Sequence, residues 1–279
     1  MTVGVIRTPK LECNTQRKLL TNFAERKAKI MNDEVLSVSD NIDTSRSLFR
    51  YISLAQFLSI VENRKLFLSK VKRWEDTWEG PDDQLPIITG SGKEVFSESL
   101  ITSATVGQCW TYDNDSDAMW RIYSPDRQGI MIETNVDCFR EIQDLRRAVL
   151  AKVIYFNKDN YIQKRNEIAK NRSYCYVGDM ALKREAFKHE NEVRLLVCLQ
   201  AYREIPNCWD VPVMSFDFDP LTFIKSITFD PRADEWFVNT MKQYCLSKAF
   251  SCPIEKSSLY EKDFFEQAKI VRRYVTVKE

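Results

Sequence analysis

Residues Leu182–Gln200, LKREAFKHENEVRLLVCLQ, change from a polar and charged run into an apolar one. The apolar half is short and bounded by polar residues, a pattern that predicts a buried β-strand. Alternation along this strand places Glu190, Glu192 and Arg194 on one face. Two carboxylates and a guanidinium at the entrance of a central strand indicate a functional site. A surface strip of ion pairs is the alternative interpretation.

The composition is that of a folded globular protein. A chain of 279 residues with 44% hydrophobic content can bury one substantial core and a small appendage. No apolar run reaches the ~20 residues that cross a bilayer, and the amino terminus has no signal-like apolar region, so we expect a cytoplasmic protein without a membrane partner. The eight cysteines are scattered without a C-x-x-C pair, which favours buried thiols over disulfides or zinc ligands.

The single histidine, His189, excludes several classes of enzyme. A zinc site with two histidines cannot be built from one chain of this sequence, and a catalytic triad would have to use His189. The seven glycines form neither a G-x-x-x-x-G-K-[ST] loop nor a G-x-G-x-x-G turn. Classical ATPases, Rossmann dehydrogenases and zinc hydrolases are therefore poor interpretations, and we expect no metal cofactor.

Short strands and helices alternate irregularly along the chain. Leu48–Ile52 is predicted as a strand and is followed by an S-x-x-Q capping box at Ser53 and Gln56, which predicts a helix. We also predict helical structure over Val177–Phe187 and a helix that begins at Asp230. The irregular spacing favours an α+β fold with antiparallel or mixed sheets over a regular βα repeat.

Two segments with different composition are expected. Residues 1–45 are predicted to form a basic helical extension, with a helix near Leu11–Met31 and a polar linker, whereas residues 46–279 form a single α+β domain. Residues 140–194 contain 13 Lys or Arg against eight acidic residues. This excess indicates either ordinary solvated faces or a basic surface that follows a phosphate backbone.

Further candidates surround the first strand and an aromatic segment. Arg50 and Tyr51 end a strand directly before the capped helix, where a forked cation can bind a phosphate or ribose, or pair with a structural carboxylate. Tyr112, Trp120 and Tyr123 lie within twelve positions of the sequence. These aromatic side chains could enclose a planar ring, although packing in the core is the default for such residues.

Several blocks of the sequence resemble, in order, an uncharacterised bacterial domain family that is common in prophage, toxin and phage-defence loci. The family's hallmarks are an aromatic "FNDP.E"-like loop, an "MW..Y" block and an "E.E.R" block. The corresponding stretches here are RWEDTWEG, AMWRIYSPDRQGIMIE and LKREAFKHENEVRLL. The loop departs from the pattern, since Glu75-Asp76-Thr77 stands where asparagine, aspartate and proline would be expected.

The block LFRYISLAQFLSIVENRKLFLS is similar to the first motif of the ADP-ribosyltransferase superfamily, particularly of its nucleic-acid-modifying members. The resemblance implies split, mixed or antiparallel sheets flanked by helices, with NAD as a substrate. It gives Arg50 the role of holding the NAD ribose, with Tyr51 and Arg194 beside the site, and makes Glu192 the catalytic second glutamate of an E-x-E motif whose first is Glu190. Tyr112 and Tyr123 have the Tyr-x10-Tyr spacing of the diphtheria-toxin-like branch, and Trp120 is a further aromatic candidate beside nicotinamide.

The resemblance thus implies an ADP-ribosyltransferase toxin or effector in bacterial anti-phage defence. Together with the basic region, it favours a nucleic acid acceptor, RNA over DNA, and allows an antitoxin or chaperone partner. Two alternatives remain at this point. One is a binding module without activity, in which the Glu/Arg cluster is a structural ion-pair network. The other is a metal-dependent nuclease that uses Asp76, Glu79, Glu190 and Glu192 as oxygen ligands.

Overall fold

A computed structural model describes residues 36–76, 78, 85–95 and 100–261 of the chain. The helix expected near Leu11–Met31 lies outside these residues. The strands of the described part are β1 (Leu36–Val38), β2 (Leu48–Ile52), β3 (Lys65–Lys70), β4 (Ile87–Ile88), β5 (Glu94–Val95), β6 (Thr105–Thr111), β7 (Ile130–Thr134), β8 (Ala148–Lys152), β9 (Ile154–Phe156), β10 (Leu182–Arg184), β11 (Glu192–Cys198), β12 (Val213–Asp217), β13 (Ser226–Phe229) and β14 (Ile254–Lys256). The α-helices of this part are α1 (Leu54–Asn63), α2 (Leu100–Ser103), α3 (Asp117–Tyr123), α4 (Tyr161–Lys170), α5 (Pro220–Phe223) and α6 (Glu235–Ser247).

Ten strands form one mixed sheet in the order β1-β8-β11-β6-β2-β7-β13-β14, with β3 paired to β6 and β12 paired to β3. The outer pairs β1–β8 and β13–β14 are parallel, and the inner pairs are antiparallel. The expected α+β class with a mixed sheet is confirmed. None of the helices in the described part of the chain has the length and hydropathy needed to cross a membrane.

The sheet forks at β6. One edge of β6 pairs with β11 along its whole length. Its other edge meets β2 at one end, where Phe49 lies opposite Thr111, and β3 at the other end, where Ser69 lies opposite Gly107. Between these two contacts, no strand of the described residues pairs with that edge of β6. A cleft can therefore open between the two arms of the sheet.

The two faces of the sheet bury different cores. The larger core lies on one face and contains Trp110 from β6 and Val193, Leu195 and Val197 from β11. The other face carries two smaller clusters, one around Leu196 and one around Tyr51, Met119, Trp120, Met131 and Phe49. Because side chains alternate along a strand, Glu192 and Arg194 share the second face with Leu196.

Helix α1 begins as the sequence predicts. The Ser53 hydroxyl accepts a hydrogen bond from the Gln56 backbone N–H, and the Gln56 side chain accepts one from the Ser53 N–H. This reciprocal capping box satisfies two of the unpaired amides at the start of the helix. The box fixes the point at which the chain leaves β2, directly after Arg50 and Tyr51.

One predicted helix is wrong, and a second begins later than predicted. Within Val177–Phe187 the chain forms two 3₁₀ turns around strand β10, which pairs in parallel with β9. Hydrogen bonds to a distant strand override local helical preference in such a short segment. The later helix begins at Glu235 and not at Asp230, because the Asp230 carboxylate accepts hydrogen bonds from the Arg232 side chain and backbone.

The segment before residue 46 contributes to the main sheet. Leu36–Val38 pairs with β8, and the Leu36 side chain is fully buried in the larger core. The predicted polar linker therefore contains one strand of the sheet, while the division into an extension and a domain stays a prediction. The seven cysteines in the described ranges form no disulfide.

Candidate active site

Glu192 opens β11 and is held by Arg194, two residues further along the same face. Arg194 Nε lies 2.9 Å from Glu192 Oε1, and Arg194 Nη2 lies 2.9 Å from Oε2. The two residues are 2% and 0% exposed. This forked contact matches the planar geometry of a guanidinium to that of a carboxylate. The pair is buried, so an exposed surface strip of ion pairs is excluded for these residues.

Arg194 is held in place by contacts other than its ion pair with Glu192. Its Nη1 donates to the Met180 carbonyl at 2.6 Å, and its guanidinium lies 4.7 Å from the centre of the Trp74 ring. Trp74 is itself fixed by a hydrogen bond from its indole N–H to Ser69 Oγ. Because the Arg194 guanidinium is itself held in place, it fixes the position of the Glu192 carboxylate.

Lys183 connects the two glutamates of the E-x-E motif. This residue belongs to β10, and its Nζ lies 2.5 Å from Glu190 Oε2 and 3.0 Å from Glu192 Oε2. Between the glutamates, Asn191 adopts a left-handed backbone with φ of 41°, and its side chain donates to Asp113 Oδ1 at 2.8 Å. Asn tolerates this conformation better than most residues. The turn at Asn191 brings both carboxylates to the same ammonium group.

The electrostatics keep Glu192 ionised. Burial raises the pKa of its carboxyl, but the charge and hydrogen bonds of Arg194, the charge of Lys183 and a hydrogen bond from Cys109 outweigh burial and lower the pKa to about 2. Opposite charges and donors favour the charged form of a carboxyl group. Glu192 is therefore a carboxylate throughout the physiological pH range.

A cleft joins these carboxylates to the first strand. Its walls come from β2, β6, α3 and the turn into β11, and its lining residues are Phe49, Arg50, Tyr51, Cys109, Trp110, Thr111, Met119, Tyr123, Glu190 and Glu192. The two regions that sequence reasoning singled out are separated by 140 positions, yet they face one another here. The cleft lies at the fork of the sheet, where β6 is exposed between its two partner strands.

Arg50 is the unbalanced charge of the cleft. Burial lowers the pKa of its guanidinium to about 10, and Cys109 and Tyr123 oppose this shift in part. Among the described residues, no side chain or carbonyl accepts a hydrogen bond from the Arg50 guanidinium. A partly buried cation without an acceptor costs free energy, and an anionic ligand would remove that cost.

Two aromatic candidates line the cleft. The Tyr51 hydroxyl accepts a hydrogen bond from the Ser116 N–H at 2.8 Å and lies 3.2 Å from the Asp113 carbonyl, to which it donates. Tyr123 is 40% exposed, and burial of its hydroxyl followed by the charge of Glu190 raises its pKa. Tyr51 is thus rigidly fixed, whereas Tyr123 presents an accessible ring.

Tyr112 and Trp120 lie outside the cleft. The Tyr112 hydroxyl accepts a hydrogen bond from the Asp43 N–H, and the ring packs in the larger core because Tyr112 alternates with the cleft residue Thr111. Trp120 is fully buried, and its indole N–H donates to Asp115. The Tyr-x10-Tyr spacing therefore does not place two tyrosines on one cleft. Trp120 instead supports Tyr51 through an edge-to-face contact at 4.8 Å.

Sequence reasoning missed three residues around the carboxylates. Lys183 was hidden in a segment predicted as helical, and Tyr155, whose hydroxyl accepts a hydrogen bond from the Glu192 N–H, lies on the distant strand β9. Cys109 lines the cleft between Gly107 and Thr111. Its position two residues from both Gly107 and Thr111 on a strand, which places the three on one face, was the available signal for Cys109.

Of the residues suggested for a nuclease, Glu190 and Glu192 line the same cleft, but no third carboxylate is grouped with them in the described part of the chain. Asp76 pairs with Arg184, with Nη2 and Oδ1 2.7 Å apart, and Glu79 lies outside the described residues. His189 is exposed and does not line the cleft. Within the described ranges, no three His, Cys, Asp or Glu side chains are grouped so that they could hold a metal ion.

Comparison with known proteins gives two similarities. Residues 119–195 match a family described as "Protein of unknown function (DUF2971)", a range that contains most of α3, the first half of β11 and both glutamates. Among solved structures, the chain is similar to DarT of Thermus sp. 2.9 in complex with NAD+, with 8% sequence identity and a TM-score of 0.35, over 77% of this chain and 96% of that chain. At this level, the structural likeness alone says nothing about activity. No curated protein matches the sequence.

Proposed function

We propose that the protein is an NAD-dependent ADP-ribosyltransferase that modifies a macromolecule. One observation carries the proposal: a single cleft holds the unbalanced cation Arg50 and the ionised Glu192 together with Glu190. Arg50, Lys183 and Arg194 against two glutamates leave one positive charge at this site. That charge suits a diphosphate substrate, and the carboxylates suit a reaction centre that becomes positive.

The proposed reaction uses the positive charge of Arg50 and the negative charge of Glu192 at different parts of the substrate. Cleavage of the bond between nicotinamide and ribose releases neutral nicotinamide and gives the ribose oxocarbenium character. The Glu192 carboxylate stabilises that positive charge and accepts a hydrogen bond from a ribose hydroxyl. Arg50 binds the diphosphate or the ribose, and the accessible ring of Tyr123 covers nicotinamide, beside the fixed Tyr51.

Glu190 serves the acceptor in this mechanism. Its Oε2 is bound to Lys183, whereas its Oε1 accepts no hydrogen bond from the described residues. As the acceptor's nucleophilic oxygen or nitrogen forms its bond to the ribose carbon, Glu190 orients it and takes its proton. The products are nicotinamide, a proton and the ADP-ribosylated acceptor. Glu192 and Glu190 thus divide charge stabilisation and proton transfer between them.

The acceptor is nucleic acid in this proposal, with RNA favoured over DNA. The support is the excess of 13 Lys or Arg over eight acidic residues across residues 140–194, which include β8, one of the two strands paired with β11, and the resemblance to nucleic-acid-modifying transferases. The resemblance also supports a role as a toxin in anti-phage defence, with an antitoxin or chaperone as partner. The site of action is then the bacterial cytoplasm.

The transferase proposal is tested with labelled NAD and a cell lysate, with and without Mg²⁺. We expect label transfer by the wild type, a loss of at least about 100-fold in Glu192→Gln, and a large loss in Arg50→Met, because charge stabilisation and substrate binding are removed. Glu255→Gln is the matched control, since Glu255 is an exposed glutamate on the edge strand β14. Full activity of Glu192→Gln would contradict the assignment.

The acceptor class is decided on the labelled products. Digestion with RNase, DNase or protease separately should release the label with RNase, and the same result is expected with purified RNA as the sole acceptor. Release by DNase or protease alone would assign DNA or protein. Cleavage of nucleic acid that needs Mg²⁺ and no NAD would instead support a nuclease.

A further inference from the structure

Lys183 occupies the space between the two glutamates of the cleft. Its ammonium group binds Glu190 Oε2 at 2.5 Å and Glu192 Oε2 at 3.0 Å, so these two oxygens lie no more than 5.5 Å apart. The Lys183 side chain is 8% exposed, and its ammonium lies 5.0 Å from the centre of the Phe187 ring. The lysine is therefore a buried bridge.

Two carboxylates at this separation repel each other. In a poorly solvated site one of them takes up a proton unless a cation lies between them. Arg194 forms its ion pair with Glu192, while the cation bound to Glu190 in the described structure is Lys183. The bridge is thus the group that serves both carboxylates.

The remaining titratable groups do not replace this cation. Tyr155 and Tyr123 face the glutamates, and burial raises the pKa of both phenols, so they are neutral near pH 7. Cys109 donates to Glu192 as a thiol. Arg50 lies across the cleft without an ion pair to either glutamate. Lys183 is therefore the cation that both glutamates share.

We propose that Lys183 is a positioning residue that holds Glu190 and Glu192 side by side as two carboxylates at the cleft. This role rests on the proposed transferase function, because it is in that reaction that Glu190 and Glu192 each have a part as a carboxylate. Lys183 acts through the glutamates, and its loss should change the pH at which they are both ionised.

The pH profile of NAD turnover tests this role. In Lys183→Met, the acid limb of kcat/KM is expected to move upward by about one pH unit or more, since the mutual repulsion of the glutamates is no longer offset. Lys183→Arg keeps the cation and should return the limb toward the wild-type position. Lys188→Met, an exposed lysine of the same segment, is the matched control and should leave the profile unchanged.

A titration without substrate makes the result independent of activity. ¹³C-labelled glutamate carboxylates are followed by NMR in wild type and Lys183→Met, with signals assigned through Glu190→Gln and Glu192→Gln and folding checked by circular dichroism. We expect one of the two carboxylates to bind a proton at higher pH in Lys183→Met. If the wild type does not use NAD, the transferase proposal fails, yet this titration still decides whether Lys183 keeps both groups charged.

Two results would overturn the role of Lys183. One is an unchanged carboxylate titration in Lys183→Met. The other is a loss of rate by the same factor at every pH in both Lys183→Met and Lys183→Arg, since a purely structural lysine would behave in this way.

Discussion

Glu192 binds its charge partners only in the folded protein, so its ionisation is linked to stability. Its pKa is lowered to about 2 in the fold, against 4.5 for an ordinary glutamate. A lowered pKa in the folded state stabilises the protein above the unfolded value, and this contribution disappears as the pH falls toward the folded value. The relevant window therefore lies between about pH 4.5 and pH 2.

We predict that the wild type loses stability relative to Glu192→Gln as the pH falls through this window. The difference between their free energies of unfolding should change by about 3 kcal/mol, because glutamine has no proton to gain. Urea unfolding of both proteins at a series of pH values measures this difference. A difference that stays constant from pH 7 to pH 2 would contradict the assigned charge state.

Strand β6 needs a glycine where it passes beneath the site. A Cβ atom at Gly107 would lie 2.7 Å from Leu196 Cδ2, 2.9 Å from Trp74 Cζ2 and 3.1 Å from the Leu195 carbonyl oxygen. Such approaches are shorter than ordinary packing allows. Because the Trp74 ring covers the Arg194 guanidinium, a side chain at Gly107 that displaces Trp74 would also disturb Arg194, the ion-pair partner of Glu192.

We predict that Gly107→Ala lowers the free energy of unfolding by about 1–3 kcal/mol, because neighbouring side chains must move. Gly90→Ala is the matched control: a Cβ there meets no atom within 4 Å, and the change should stay within about 0.5 kcal/mol. Urea unfolding compares both with the wild type. Equal stability of Gly107→Ala and the wild type would contradict this prediction, because it would show that the side chains of Trp74 and Leu196 can move aside without a loss of stability.

On the scale of the whole molecule, the chain before residue 46 is tied to the sheet. Beyond the parallel pairing of β1 with β8, Asn41 Nδ2 donates to the Tyr174 hydroxyl at 2.7 Å, and Ser39 Oγ accepts from the Lys152 N–H. These contacts, together with the burial of Leu36, connect the segment to both faces of β8.

Deletion of residues 1–45 should therefore destabilise the protein by at least about 2 kcal/mol relative to deletion of residues 1–30, since the former removes a buried leucine and an edge strand. Thermal and urea unfolding of the two truncated proteins make the comparison. Equal stability would show that the segment up to residue 45 is a separable extension, as its polar composition suggests.

The sequence predicts the elements whose signals are local. Leu48–Ile52, the capping box at Ser53 and the shared face of Glu192 and Arg194 all follow from alternation or from spacing within a few residues. Lys183 could not be found in this way. Its strand has three residues, and its position depends on pairing with β9, some 28 positions earlier.

The sequence also could not show which of the aromatic candidates line the cleft. Tyr51 and Tyr123 line the cleft, whereas Tyr112, adjacent to the cleft residue Thr111, points to the opposite face. A spacing of eleven positions that crosses the end of a strand and enters a helix does not fix which face each residue occupies. The path of the chain between β6 and α3 decides this.

The two arms of the forked sheet differ in how firmly they are held. Strand β11 is buried along its length and paired on both edges, so we expect its backbone amides to exchange slowly with solvent deuterium. Within the described residues, the arm that carries Arg50 pairs with β6 only where Phe49 lies opposite Thr111. We therefore expect small movements of that arm to widen the cleft while the glutamates on the paired strand keep their positions.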